Sequence, residues 1–394
     1  MPNYFPYQPE QAELLPRHVR DELPKGHLCF RIHQIIEDED LSEFDRAYSE
    51  EGQQAYNPRL MLKVWLYGFA VNVRTTRKLE QRIQEDLAFR FLAGGARPDH
   101  KTLSEFLRRH RERVEDLFVQ VLTSCRKAGL VRLGRVAIDS TRIRANASPD
   151  RLLAVDRKQV RRWGKEMERE DPDQDPGLAV SEEQGKRWQE QFRQARRVAE
   201  NEAKRSATDP DARFLRERGG KFGLGYSGEL AVSEDHFIVA IRVTQHPTDN
   251  GSLLPMVAEV ERRCRAKPGK ILADSGFYSG ANLERLQQQG IDGYIPDSNL
   301  AHELNTGERA RGRGNKISRM RHRETRRMRQ KLRSPAGRAI YDQRKTMVEP
   351  VIGTLKEQRG MRRFLRRGLS NVTLELTLAA MAYNITRLHR LLGF

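Results

Sequence analysis

The chain has 394 residues, with a low hydrophobic content of 37% and a high charged content of 32%. This length suffices for two or three domains, and the composition favours a folded core with long charged helices over a disordered chain. The 72 Lys and Arg residues, against 54 Asp and Glu, give a net charge of +18. Such a surplus attracts polyanions through counterion release, so nucleic acid is favoured over an anionic membrane surface as the partner. Charge alone does not distinguish this interpretation from a ribosome-associated or merely soluble basic protein.

Three widely spaced cysteines, Cys29, Cys125 and Cys264, form no Cys-x-x-Cys pair. They predict neither a zinc site nor a disulfide framework, and they fit a reducing compartment. The amino terminus lacks the layout of a signal peptide, and no run approaches the roughly 18 apolar residues of a membrane helix. We therefore expect a soluble cytoplasmic protein that contacts no membrane.

Residues 57–127 have the apolar periodicity of helices, interrupted at residues 94–98. After this break the four residues from Thr102 to Glu105 match a capping box, and Asp99 is a second capping candidate. One apolar stripe then continues for about six turns at 3.6 residues each. Its members are Leu103, Leu107, His110, Val114, Leu117, Val121 and Cys125.

A basic flank formed by Arg108, Arg109 and Arg113 lies away from that stripe. Two helices joined by a glycine-containing turn, the second rich in arginine, are typical of a helix-turn-helix pair on DNA. A capped amphipathic helix with a solvated basic face is the commoner alternative. The charge of the whole chain favours DNA contact, with Arg108 and Arg109 as candidates.

Two short apolar runs each end in an aspartate: residues 136–138 precede Asp139, and residues 271–273 precede Asp274. Such a run indicates a buried strand that delivers a carboxylate to the carboxyl edge of a sheet, where α/β proteins place their chemistry. Either aspartate could instead be a turn or capping residue. The occurrence of both in the same context favours a catalytic role.

The first of these strands is expected within residues 134–146. Between and after the two strands, the pattern alternates between helices and strands. Residues 151–205 predict two charged helices separated by prolines, which we interpret as an inserted arm without catalytic acids. The later predicted elements are strands at 223–232 and 236–244 joined as a hairpin, a helix at 252–265, a strand at 270–274, a helix at 280–289 and a short strand at 294–296. A basic tract at 301–335 leads into a helix that begins at Ser334-Pro335.

That helix carries Tyr341, Lys345 and Glu349 at intervals of four residues, and Lys356 lies two turns beyond. One face would present a carboxylate for a metal ion, with the cations and the phenol holding phosphate oxygens. The alternative is a surface helix in which Glu349 pairs with Lys345. Pro350 removes one backbone hydrogen bond and predicts a kink beside Glu349.

The order of elements predicts an α/β fold with a mixed sheet flanked by helices. We expect a helical amino-terminal domain over residues 1–130 and an α/β domain over 131–394, interrupted by the arm and the basic tract. Asp139, Asp274 and Glu349, if brought together, would form an all-oxygen pocket suited to Mg²⁺ or Mn²⁺. An acidic metal pocket in a basic protein suggests an enzyme that cuts or joins nucleic acid.

These motifs together resemble the DDE transposases of bacterial insertion sequences, over about residues 56–390. The motifs that carry the resemblance are residues 56–63 and 98–106 of the helical domain, Asp139-Ser140-Thr141, Asp209-Pro210-Asp211 with Gly225-Tyr226, residues 273–278, and the Tyr-Arg-Glu-Lys signature Tyr341, Arg344, Glu349 and Lys356. The signature usually leaves three residues between Arg and Glu. Here Lys345 has that spacing and Arg344 is one residue early.

The resemblance implies a ribonuclease H-like catalytic domain in which Asp139, Asp274 and Glu349 hold two Mg²⁺ ions, with Mn²⁺ as a substitute. The partners it implies are double-stranded DNA, as the element's terminal inverted repeats and as target, and a second copy of the chain. It further implies a bacterial cytoplasmic protein, associated with the nucleoid when on DNA. The candidate DNA-contacting residues are Tyr341, Arg344, Lys345, Lys356, Arg108, Arg109 and, from charge density alone, Arg326 and Arg327.

The resemblance predicts a transposase that cleaves phosphodiester bonds and joins the 3′ ends to target DNA. Two alternatives stay open on the sequence. One is a ribonuclease H-like nuclease that cleaves without joining. The other is a transposase-derived DNA-binding protein without catalytic activity.

Overall fold

The structure is a computed structural model that describes residues 18–48, 54–148, 152–153, 205–216, 222–246, 248–307 and 323–393. The predicted arm therefore lies outside the described residues, apart from residues 152–153 and 205. Residues 308–322 of the predicted basic tract lie outside them as well.

The amino-terminal part is helical, as the periodicity predicts. Its helices are α1 (Leu28–Asp38), α2 (Ser42–Asp45), α3 (Pro58–Ala70), α4 (Thr76–Glu85), α5 (Leu87–Ala93), α6 (His100–Arg109) and α7 (Arg111–Lys127). Polar side chains set several of the starts: the Asn57 side chain caps α3, and Pro58 occupies its first turn. The single long stripe is divided between α6 and α7 at His110, and its members are all buried.

The predicted capping box at Thr102 is wrong. Asp99 is the N-cap of α6, because its carboxylate accepts the Thr102 backbone N–H at 2.7 Å. Thr102 already lies inside the helix, and Glu105 accepts hydrogen bonds from Arg108 instead of reaching back to the cap. A carboxylate at the N-cap also interacts favourably with the helix dipole.

The second part contains a mixed sheet with strand order β4–β5–β1–β7–β8, and β6 also pairs with β5. Its strands are β1 (Arg135–Arg144), β4 (Arg213–Arg216), β5 (Phe222–Ser233), β6 (Ile238–Thr244), β7 (Lys270–Ala273) and β8 (Asp292–Tyr294). The short strands β2 (Leu152–Leu153) and β3 (Arg205–Ser206) form a separate antiparallel pair. Strand β5 is antiparallel to β1, β4 and β6, whereas β1, β7 and β8 are mutually parallel. The β5–β6 hairpin is as predicted.

The helices of this part are α8 (Leu253–Cys264), α9 (Gly280–Gln288), α10 (Ser298–Thr306), α11 (Arg323–Arg333), α12 (Pro335–Glu357) and α13 (Leu369–Leu392). Ser334 caps α12, as expected, and its side chain accepts the Gly337 backbone N–H. Helix α12 does not end at Pro350 but continues through it. The proline is exposed, so its ring occupies no core position.

Helix α13 connects the two parts of the chain. It is buried on nearly all sides and packs against α3, α7 and β6. The Asn384 side chain accepts the Ile238 backbone N–H at 2.9 Å and donates to the Ile238 carbonyl at 2.8 Å. The apolar side chains of the helical part and of the sheet consequently form one core. None of the described helices is long and apolar enough to cross a bilayer.

A buried ion pair adds a polar link between the same two parts. Arg74, which precedes α4, contacts Glu375 of α13 at 2.9 Å, and the two side chains are 8% and 2% exposed. Arg74 also donates to the Arg363 carbonyl at 3.3 Å. Gly360 has a φ of +65°, and a Cβ there would lie 2.4 Å from the Asn72 side chain, so this close approach requires glycine.

Candidate active site

Two of the predicted acids, Asp139 and Asp274, are neighbours on adjacent parallel strands. Ile138 of β1 pairs with Ala273 of β7, and the aspartates are the next residue on each strand. The first strand, expected within residues 134–146, extends past Asp139 as predicted. β1 continues to Arg144, because the long strand β5 keeps pairing with it beyond the end of β7.

A buried arginine lies against this pair. Arg344 of α12 is 7% exposed and donates from Nη1 to Asp139 Oδ2 at 2.9 Å. The other carboxylate oxygen, Oδ1, accepts the Ser140 backbone N–H at 2.8 Å. Asp274 accepts the Gly276 backbone N–H at 2.9 Å and caps a short 3₁₀ helix, Ser275–Phe277. The capping alternative thus applies to Asp274 and does not preclude a catalytic role.

Both aspartates resist ionisation. Burial, with the neighbouring charge of Asp274, raises the pKa of Asp139 from 3.8 to about 6 against the opposing effect of Arg344. Burial also raises the pKa of Asp274, again opposed by Arg344. Two half-buried carboxylates that share the charge of one neighbouring guanidinium form a site that gains stability from added positive charge.

A further acid, Asp249, lies beside the pair and was missed by the sequence reasoning. Its Oδ2 accepts a hydrogen bond from the Ser140 hydroxyl at 2.7 Å, and its Oδ1 lies 3.5 Å from an Arg142 guanidinium nitrogen. Its charge contributes to the raised pKa of Asp274. Asp249 follows no apolar run and sits in the connection between β6 and α8, so its sequence context indicated only a turn.

The third predicted acid, Glu349, is placed differently. It is exposed on α12, on the flank opposite the buried stripe to which Arg344 belongs. Across the described part of the chain, no group of three or more Asp, Glu, His or Cys side chains is arranged to hold a metal ion. The structure therefore places Asp139 and Asp274 together, and among the described residues it does not assemble Glu349 with them into a metal-holding group.

The other signature residues divide between the two sides of α12. Tyr341 is buried with Arg344, whereas Lys345 is exposed and donates to the Asn305 side chain at 3.1 Å. Lys356 is half-buried. The one-residue offset between Arg344 and Lys345 therefore has a structural result: the arginine contacts the aspartate pair, and the lysine shares the flank of Glu349.

The remaining predicted DNA contacts lie on two helices. On α6, Arg108 is exposed and pairs with Glu105, while the Arg109 guanidinium lies 5.3 Å from the centre of the Tyr48 ring. On α11, Arg327 is exposed and 3.3 Å from Glu324, and Arg326 is half-buried. Nearby acids thus partly offset the charges of Arg108 and Arg327.

The donor chemistry of the pair fits a hard divalent cation. Asp139 and Asp274 supply only oxygen ligands, which Mg²⁺ and Mn²⁺ prefer, and their raised pKa values reflect charge that a bound cation would relieve. The described residues offer this pair with Asp249 nearby, but no group of three acids arranged to hold a metal ion.

Two family models match the chain. One, described as a transposase domain (DUF772), matches residues 17–109, and the other, described as a transposase DDE domain, matches residues 305–389. The first covers most of the amino-terminal helices, and the second covers α11, α12 and most of α13. The chain therefore contains two segments that match transposase families, one in the helical part and one that includes α11 and α12.

These two matches confirm the resemblance to transposases, with a DDE domain, that the motifs indicated. No curated protein matches its sequence. Among solved structures it is similar to one described as the crystal structure of a pre-cleavage Mos1 transpososome, with 11% identity over 89% of this chain and 83% of that chain. The TM-score of this likeness is 0.21.

Proposed function

We propose that this transposase binds the ends of an insertion sequence, cleaves phosphodiester bonds there and joins the 3′ ends to target DNA. The observation that carries the proposal is the pair of half-buried aspartates on adjacent parallel strands, with Arg344 of α12 donating a hydrogen bond to Asp139. The succession of antiparallel strands β6, β5 and β1 followed by parallel strands β7 and β8 supports a ribonuclease H-like catalytic domain.

Asp139, Asp274 and Glu349 are the proposed ligands of two Mg²⁺ ions, for which Mn²⁺ could substitute. When bound, such ions would activate the attacking oxygen and stabilise the leaving 3′ oxygen. Because Glu349 is exposed and forms no metal-holding group with the pair among the described residues, the proposal includes a shift of α12 on DNA binding. The same shift would release Arg344 from Asp139 and make its guanidinium available to a phosphate.

Around this centre, exposed basic side chains would hold the DNA backbone. Lys345 and Lys356 share the flank of Glu349, and Tyr341 lies on the adjoining side of α12. Arg344 after its release, Arg108 and Arg109 of α6, and Arg326 and Arg327 of α11 complete the proposed contacts. Two copies of the chain would hold the two ends of the element, in the bacterial cytoplasm and at the nucleoid.

A second candidate function is a DNA-binding protein without catalytic activity. The exposed position of Glu349 and the ion pair between Arg344 and Asp139 favour it, because both keep the site from its proposed working arrangement. A nuclease that cleaves without joining needs the same three acids.

Incubation of the purified chain with Mg²⁺ and an oligonucleotide that carries the terminal repeat of its element tests these functions. Joined products support the transposase, cleavage alone supports the nuclease, and a gel shift without cleavage supports the inactive binder. Asp139→Asn and Glu349→Gln should abolish both reactions but leave DNA binding intact, since binding depends on the basic side chains. Asp116→Asn, at an exposed position of α7, is the matched control. Cleavage by the Asp139→Asn protein would refute the assigned site.

A further inference from the structure

The segment between α12 and α13 is rich in arginine and firmly attached to the rest of the fold. We call residues 358–368 the arginine loop. Its backbone continues the sheet: the Phe364 N–H donates to the Arg144 carbonyl at 2.9 Å, and the Arg144 N–H donates to the Arg362 carbonyl at 3.1 Å. The Glu375 carboxylate accepts the backbone N–H groups of residues 365 and 366 at 3.0 Å each.

The carboxyl-terminal end of the arginine loop is also fixed by hydrogen bonds. The Gly368 N–H donates to Asp209 at 3.1 Å, and the next N–H of the chain donates to Asp211 at 2.8 Å. Met361 and Phe364 are fully buried. A loop with this many attachments presents its exposed side chains from a fixed backbone, which lowers the entropy lost when a ligand binds.

Among the residues that the structure describes, two exposed arginines of this loop have only neutral partners. Arg363 donates from Nη2 to Asn146 Oδ1 at 3.1 Å, and Arg367 donates from Nε to the Asn146 carbonyl at 2.8 Å. Within the described ranges neither guanidinium forms an ion pair with a carboxylate. Arg362 differs, because it pairs with the exposed Glu357.

The acids nearest to these arginines are already committed to other groups. Glu375 is buried against Arg74, and Asp209 and Asp211 accept backbone hydrogen bonds at the start of α13. Each exposed guanidinium has five N–H donors, and the described contacts use one of them. A phosphate group fits such donors, because its oxygens accept paired charge-assisted hydrogen bonds.

The arginine loop is bonded to the same strand that carries Asp139. Arg144, to which the loop is bonded, is five residues beyond Asp139 on the same strand, or about 17 Å at about 3.3 Å per residue. One DNA strand advances about 3.4 Å per nucleotide, so this separation matches about five nucleotides.

We propose that Arg363 and Arg367 form a contact for the phosphate backbone of double-stranded DNA, about five nucleotides from the phosphate that is cleaved. This inference rests on the proposed transposase function and adds to it a surface outside the signature helix. The contact reads no sequence, because phosphate contacts position DNA and base contacts specify it.

The test is the salt dependence of duplex binding by the full chain, measured by fluorescence anisotropy between 50 and 200 mM salt. The plot of log K against log salt has a negative slope, and each lost phosphate contact makes it shallower by about 0.9. The Arg363→Gln/Arg367→Gln variant should therefore reduce the magnitude of the slope by about 1.8. The loss of affinity over this salt range should then be about twelvefold smaller than in the unmodified chain. The effect should be the same for unrelated duplex sequences.

The matched control is Arg46→Gln/Arg262→Gln, which removes the same charge from two exposed arginines that pair with glutamates on their own helices. Its slope should stay within about 0.5 of the unmodified value, because each of these arginines already has a carboxylate partner. Arg363→Lys/Arg367→Lys retains the charge and should largely retain the slope. If the double glutamine variant does not fold, each single variant should lower the slope by about 0.9.

The outcomes separate the two proposals. An unmodified chain that binds no DNA overturns the proposed function and this inference together. A chain that binds DNA with the same slope in both double glutamine variants overturns the inference alone. Tighter binding to an RNA duplex, lost in the loop variant while DNA binding is unchanged, assigns the loop to RNA and likewise overturns it.

Discussion

Replacement of Asp274 by asparagine should stabilise the protein while it abolishes catalysis. Asparagine has nearly the same shape, and its side-chain oxygen can still accept the Gly276 N–H. Arg344 also keeps its partner, because Asp139 is unchanged. The variant therefore removes one buried negative charge and leaves the other contacts in place.

The structure gives the size of the effect. A rise in the pKa of Asp139 from 3.8 to about 6 corresponds to about 3 kcal/mol against its ionised form. Burial is the largest cause and Asp274 a smaller one, so loss of the Asp274 charge should return about 1 kcal/mol at pH 8. Relief of the buried charge of Asp274 itself adds to this gain.

The gain should depend on pH in a defined direction. A carboxyl group whose pKa is raised by folding binds its proton more tightly in the folded state than in the unfolded state. Its ionisation therefore lowers stability as the pH rises from about 4 through about 6. The Asp274→Asn protein should be more stable than the unmodified chain at pH 8, and the difference should shrink toward pH 4.

Urea unfolding followed by circular dichroism at both pH values measures this difference. Asp116→Asn, at an exposed position, is the control and should change stability by less than about 0.5 kcal/mol at either pH. If the Asp274→Asn protein were less stable than the unmodified chain at pH 8, the two aspartates would not repel each other as described.

Three further substitutions test the scaffold around the site by urea unfolding. Arg74→Met should destabilise the fold by about 3–5 kcal/mol at neutral pH, since it leaves a buried carboxylate without its partner; a loss below about 1 kcal/mol would contradict this. Gly360→Ala should cost more than Gly94→Ala, because both glycines have positive φ but only the first would meet a neighbour. Equal losses of stability in the two variants would exclude a clash between a Cβ at position 360 and the Asn72 side chain. Asp99→Ala should cost about 1 kcal/mol, and Thr102→Ala should cost less; the reverse order would restore Thr102 as the cap.

Much of the architecture was predictable because it depends on local patterns. Apolar runs ending in aspartate identified β7 and the first half of β1, and a parallel pairing of the two places Asp139 beside Asp274. The start of α12 at Ser334-Pro335 followed from capping preferences. These features depend on neighbours within a few residues, which a single sequence displays.

The parts that the sequence did not predict depend on distant residues. Asp249 lies beside the aspartate pair through its contact with Ser140, which is 109 residues earlier in the chain. Spacing by four residues placed Tyr341, Lys345 and Glu349 on one side of a helix, but the side of α12 that packs on the sheet includes Arg344. Helical periodicity identifies faces, whereas tertiary packing decides which face is buried.

The position of α13 has a consequence for how this chain folds. The last helix completes the apolar surroundings of α3, whose sequence lies about three hundred residues earlier. During synthesis, part of the apolar surface of the amino-terminal helices therefore stays exposed to solvent until nearly the whole polypeptide has left the ribosome. Premature termination before residue 369 should yield an aggregating fragment and no independently folded amino-terminal module.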